Sequence, residues 1–183
     1  MMRDEVKRIV YDPISWIHPQ RFSVPNLFSS TRCRSILNDI VLHHYGLSND
    51  FPDLTNCTES YLVRHWAVLA KAAFMAVCHR HRSALAYQGM MLKLDPVTLQ
   101  FTQSELTESR DEFRGKLTLS HLNSLACKEL MMFSSSASQM LKERIPLLFP
   151  YSSRDDENIS LFLPKDDSEI LIRMAIQYAK RNS

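Results

Sequence analysis

The stretch Asn56–Cys78, NCTESYLVRHWAVLAKAAFMAVC, decides the fold class. Asn56 followed three residues on by Glu59 is the pattern of a capped helix start. Leu62, Trp66, Leu69, Ala73 and Val77 then recur at steps of three and four, so they share one helical face. Tyr61, Val68 and Met75 form a second apolar face. A helix apolar on two sides is expected at the centre of a helical core. Its apolar run, Trp66–Cys78, is too short to cross a bilayer and is interrupted by Lys71.

The same period extends in both directions. From Cys33, the positions Ile36, Leu37, Ile40, Val41 and Tyr45 predict a helix capped by Ser29, Ser30 or Thr31 and closed by a left-handed Gly46. Residues 79–96 read as a continuation of the central helix or a second helix, ended by Asp95-Pro96. Residues 95–116 are the least patterned, with a short helix expected from Thr102 to a stop at Gly115. Leu119, Leu122, Ala126, Leu130 and Phe133 predict a further helix. Ser136 and Gln139 are read as a capping pair for a helix that runs through Met140 and Leu141 to Pro146. Asp166 and Glu169 are read as capping a last helix over 167–181, with Arg173, Gln177, Lys180 and Arg181 on its polar face and Ile170, Leu171, Met174, Ala175, Ile176 and Tyr178 on the rest. The only period-two signal is a short strand candidate at Ile159–Leu163. The expectation is an all-α fold: one compact helical domain over 1–183, with about six to eight helices and any sub-lobe boundary inside 95–116.

Composition narrows the function. A net charge of +2 gives little pull toward nucleic acid. The local run His79, Arg80, His81, Arg82 is read as a solvated helix face. The three glycines, Gly46, Gly89 and Gly115, stand far apart, which excludes a phosphate-cradling loop and a dinucleotide fingerprint. In CHRH, residues 78–81, histidines two apart on a helix point away from each other, so neither a metal nor another cofactor is expected; His43-His44 has the same defect. No nucleophile elbow is present, so no enzyme is expected. The rival enzymatic reading places a Cys/His site around Cys78 and His81. Asp155, Asp156 and Glu157 read as a solvated acidic loop. The opening MMRDEVKRIV is charged and lacks the apolar core of a secretory signal, so a cytosolic chain with four reduced cysteines is expected.

Two stretches suit protein contacts. In YDPISWIHPQRF, residues 11–22, Asp12 and Pro13 start a helical turn that Pro19 ends, and Arg21 is placed to pair with Asp12. Trp16 and Ile17 project from this stiff element, to plug the domain's own core or to anchor an interface. In RIPLLFPYS, residues 144–152, Leu147, Leu148 and Phe149 lie between two prolines and are expected to be extended and buried, in the core or in a partner's groove. The candidate protein-binding residues are Trp16, His18 and Arg21 on one surface and Leu148, Phe149 and Tyr151 on another.

The first of these stretches carries a resemblance. Tyr11, Asp12, Pro13, Ser15, Trp16, Ile17, His18, Pro19 and Arg21 resemble the N-terminal signature of the OrgA/MxiK family of type III secretion proteins, related to the YscK group. HRHRSALAYQGMMLKL (79–94), ERIPLLFP (143–150) and AIQYAK (175–180) look similar in the same order, whereas 95–135 has no match. The resemblance implies a non-enzymatic adapter of the cytoplasmic sorting platform. It would link the forkhead-associated-like cytosolic domain of the inner-membrane ring protein to the pod protein, and through the pod to the stator protein and secretion ATPase. It further implies a place at the inner face of the membrane through protein contacts, without insertion. A helical secretion chaperone or regulator that holds disordered substrates is the alternative of a different class.

Overall fold

The computed structural model describes residues 2–28, 30–106, 117–151 and 165–182, with side chains of the last helix from residue 169. Within them the chain is all-α. Its helices are α1 (Met2–Tyr11), α2 (Thr31–His44), α3 (Cys57–Arg64), α4 (Leu69–Arg80), α5 (Arg82–Tyr87), α6 (Pro96–Thr102), α7 (Leu119–Phe133), α8 (Gln139–Arg144) and α9 (Lys165–Arg181). Short 3-10 turns lie between several of them, and no strand occurs among the described residues. The chain divides into two compact units, Met1–Ala67 with Ser134–Tyr151, and Val68–Phe133 with Ser152–Ser183. Residues 95–106 lie inside the second of these.

In the first unit α1 packs on α2 and α3. Its Val6, Ile9 and Val10 are buried, at the i, i+3, i+4 spacing of an amphipathic helix. α2 starts where expected: Ser30 is the cap, its hydroxyl accepting from the Cys33 N–H, and Gly46 follows the helix at φ 61°. The stripe is wider than the core it meets. Val41 is buried, but Ile36 and Ile40 stay 53% and 52% exposed. α3 is capped by Asn56, whose side chain accepts from the N–H groups of Thr58 and Glu59. The reciprocal half of the capping box does not form, because the Glu59 carboxylate accepts from Asp53 N–H and Ser138 N–H, both at 2.7 Å. Ser138, not Ser136, therefore stands at the N-cap of α8.

The long helix expected from Asn56 to Cys78 is two helices. α3 ends at His65, whose backbone (φ −113°, ψ 12°) leaves the helical region, and a 3-10 turn at Trp66–Val68 precedes α4. Trp66, 1% exposed, belongs to the first unit and meets Trp16, while Leu69 onward builds the second.

In the second unit α4 is central, as its two apolar faces require: it packs against α7, α9 and α6. α7 spans the expected stripe, burying Leu122, Leu125, Ala126 and Leu130. The run His79–Arg82 is not a solvated face. His79, Arg80 and His81 are buried, since Arg80 donates to Glu129 of α7 (Nη2–Oε1 2.7 Å) in a pair almost closed to solvent. Gly89, at φ 67°, interrupts the helix expected over 79–96. Asp95 caps the start of α6 instead of ending a helix, accepting from the Thr98 N–H with Pro96 in the first turn. α9 begins at Lys165, two residues before the expected 167, and buries Leu171, Ile172, Ala175, Ile176 and Ala179, leaving Ile170 and Met174 largely exposed. The expected stop at Gly115, the strand at Ile159–Leu163, the acidic loop Asp155–Glu157 and the side chain of Asp166 lie outside the described residues.

Candidate protein-binding site

The stiff segment after α1 is organised by α2. Pro13 opens a 3-10 turn, Pro13–Ser15, but the Asp12 side chain does not cap it. Its carboxylate accepts from Asn38 Nδ2 at 2.8 Å and Arg34 Nη2 at 3.4 Å, and Asn38 Oδ1 in turn accepts the Ile14 N–H at 3.1 Å. The expected Asp12–Arg21 ion pair is therefore absent: α2 already supplies the partners of Asp12. Ile17 is buried in a cluster with Val41, Leu47 and Leu147. Trp16 packs against that cluster and meets Trp66 edge to face at 5.5 Å. Ile17 thus belongs to the core of its unit, while Trp16 packs on that core and stays half-buried.

Past Ile17 the chain meets the second candidate stretch. Ile145–Leu148 forms a 3-10 turn rather than an extended tripeptide, because Pro146 carries the φ that starts a helical turn; only Phe149, before Pro150, is extended. His18 N–H donates to Leu147 O at 2.9 Å. Arg21 Nε donates to Phe149 O at 2.6 Å and its Nη2 to Pro150 O at 3.3 Å. The guanidinium lies over the Tyr151 ring, 4.6 Å from its centroid, and the Tyr151 hydroxyl is 3.2 Å from that of Tyr45. The two surfaces expected to be separate are thus one patch.

Its members differ in access. Leu148 and Phe149 are buried in their own unit, Trp16, His18 and Arg21 are half-buried, and Tyr151 is 57% exposed. Burial, and then the Arg21 charge, hold the His18 imidazole below its ordinary pKa, which favours the neutral ring near pH 7. Asn38 and Tyr45 complete the patch and were not singled out from sequence. Nothing in the sequence marked Asn38, whose burial shows only in the fold; Tyr45 read only as part of an apolar stripe.

Other surfaces are exposed. On α2, Ile36 and Ile40 are exposed, and a separate feature, a cleft of about 330 Å³, is lined by Asp39, Leu42, His43, Gly46, Leu47 and Asn49. In the second unit Tyr87 and Leu92, either side of Gly89, are 93% and 92% exposed. Cys78 is buried, and burial, with the charge of Asp95, pushes its thiol up to about 12, far from the thiolate a nucleophile needs. Among the described residues no group of His, Cys, Asp and Glu gathers as a metal site. No single helix among them is long and apolar enough to cross a membrane.

Comparison with known proteins places the chain. Residues 6–181 match the model of the bacterial type III secretion apparatus protein family, OrgA_MxiK, so the match runs through 95–135 as well. The oxygen-regulated invasion protein OrgA of Salmonella typhimurium, in strains LT2 and SL1344 alike, is 28% identical over 178 residues, covering 96% of this chain and 86% of that protein. No solved structure matches. The chain belongs to the OrgA/MxiK family of type III secretion apparatus proteins.

Proposed function

From that membership we propose that this protein is a non-enzymatic adapter of the cytoplasmic sorting platform of a type III secretion system. It joins the cytosolic domain of the inner-membrane ring protein to the pod protein and is held at the inner face of the membrane by those contacts. The observation that carries the reading is the family match along nearly the whole chain. The geometry supports it in kind. The Arg21–Tyr151 patch combines a fixed guanidinium with an exposed aromatic ring, two of the residue types in which interface hot spots are enriched. A linker needs two surfaces, and the candidate residues supply one. The apolar face of α2 around Ile36 and Ile40, or the Tyr87–Leu92 turn, is what remains for a second partner.

The test is co-purification of the chain with the pod protein and with the ring protein's cytosolic domain from the same secretion system. Retention of both, separately and together, is expected. A folded chain that retains neither removes the adapter reading.

A further inference from the structure

We propose that the Arg21–Tyr151 patch receives a side-chain carboxylate from an acidic segment of a partner protein, an inference that rests on the adapter reading. Arg21 is half-buried, and its two hydrogen-bond acceptors are the main-chain carbonyls of Phe149 and Pro150. These neutral acceptors hold the guanidinium still without balancing its charge. No carboxylate pairs with it among the described residues: Asp12 is taken by Arg34 and Asn38, and Glu143 accepts from the Ser48 N–H. The Nε edge of the fork is committed to the chain, while Nη1 donates to nothing among the described residues.

A guanidinium fixed in this way has already lost the rotamer freedom that usually weakens an arginine contact, so an incoming carboxylate binds it at reduced entropic cost. The Tyr151 ring beneath it and the Tyr45 hydroxyl beside that ring extend the patch with rigid, amphipathic surface. The charge count selects the ligand. One guanidinium matches a carboxylate, whereas phosphate recognition gathers several cations or a helix N-terminus around the anion. Among the described residues the titratable groups around Arg21 are His18, whose imidazole burial and the Arg21 charge hold below its ordinary pKa, and the two tyrosines, none of which adds a second cation near pH 7.

Purified pod protein and purified ring-protein cytosolic domain are the probes, each titrated against the wild-type chain, R21Q and Y151A. The proposal expects R21Q to weaken one of the two partners by about tenfold or more and to leave the other unchanged. It further expects a Glu→Arg or Asp→Arg change in that partner to restore binding to R21E, which lost packing alone would not do. If R21Q melts well below wild type, Y151A decides, since it removes an exposed ring and no main-chain contact. Wild-type binding of both partners with R21Q or Y151A unchanged overturns the proposal but keeps the adapter; wild-type binding of neither overturns the adapter itself. Arg21-dependent binding to phosphatidylserine vesicles in place of either protein overturns the carboxylate assignment. So does an R21Q effect reproduced by neutralising Asp155, Asp156 and Glu157 together, which would put the counter-charge within the chain.

Discussion

Arg144 is a buried cation held entirely by main-chain oxygens. Its guanidinium donates to Ser48 O at 2.7 Å, Met140 O at 3.1 Å, and Ile9 O and Val10 O at 3.3 Å each. The last two are carbonyls at the C-terminal end of α1, where the helix dipole favours a positive charge. Burial holds its pKa below the ordinary arginine value, with Glu143 opposing weakly, and the side chain stays a cation. One side chain thereby satisfies four acceptors from α1, α8 and the segment after α2. Arg144→Met would fill similar space but take the side-chain donors from the Ile9, Val10 and Ser48 carbonyls, while Met140 O keeps its place in the α8 ladder, at a cost of about 3 kcal/mol or more. Arg144→Lys keeps the charge but loses the planar fork, so its loss should be smaller yet clear. Urea unfolding followed by tryptophan fluorescence measures both. A loss under about 1 kcal/mol for Arg144→Met would mean that water reaches the carbonyls and that the clasp is not structural.

Glu59 does at the level of elements what Arg144 does for a single site. From the first turn of α3 its carboxylate reaches Asp53 N–H, Ser138 N–H and the Ser138 hydroxyl, with only 3% of the residue exposed. It therefore fixes the loop before α3 and also the start of α8, where a carboxylate suits the positive end of the helix. Glu59→Gln replaces one acceptor oxygen by a donor, setting N–H against N–H at Asp53 or Ser138. The expected loss is about 2 kcal/mol, and more for Glu59→Ala. Hydrogen exchange separates this from general loosening: the Asp53 and Ser138 amides should lose protection first. Protection at those two amides equal to wild type in Glu59→Ala would refute the clasp. Asn38 works in the same way on the turn after α1, through Asp12 and the Ile14 N–H.

Across the whole molecule, what sequence revealed was periodic and local. Helix class, the Asn56 and Ser30 caps, the α7 stripe and the left-handed Gly46 all follow from spacing within a dozen residues or from one residue's conformational freedom. What escaped depended on distant partners. Arg80 looked like a surface cation until Glu129, on another helix, took it inside. Arg21 looked paired to Asp12 because the two are near in sequence, yet its acceptors at Phe149 and Pro150 lie across more than a hundred residues of chain, as the separations of 128 and 129 show. The break at His65 also escaped, because Trp66 fits the helical stripe while packing elsewhere. The thiols offer a test of this arrangement. Cys57 is exposed, Cys33 and Cys127 are half-buried, and Cys78 is buried within α4 with its pKa pushed up to about 12. Since the thiolate is the reacting species, exposure and pKa act in the same direction. Iodoacetamide labelling of the native chain, read by mass spectrometry, should modify Cys57 first and leave Cys78 untouched until denaturant is added. Substituting Cys78 by Ala should leave partner retention intact, because nothing in an adapter calls on its sulfur. Fast labelling of Cys78 in folded protein would contradict both the closed core around α4 and the reading of this chain as a protein without a catalytic thiol.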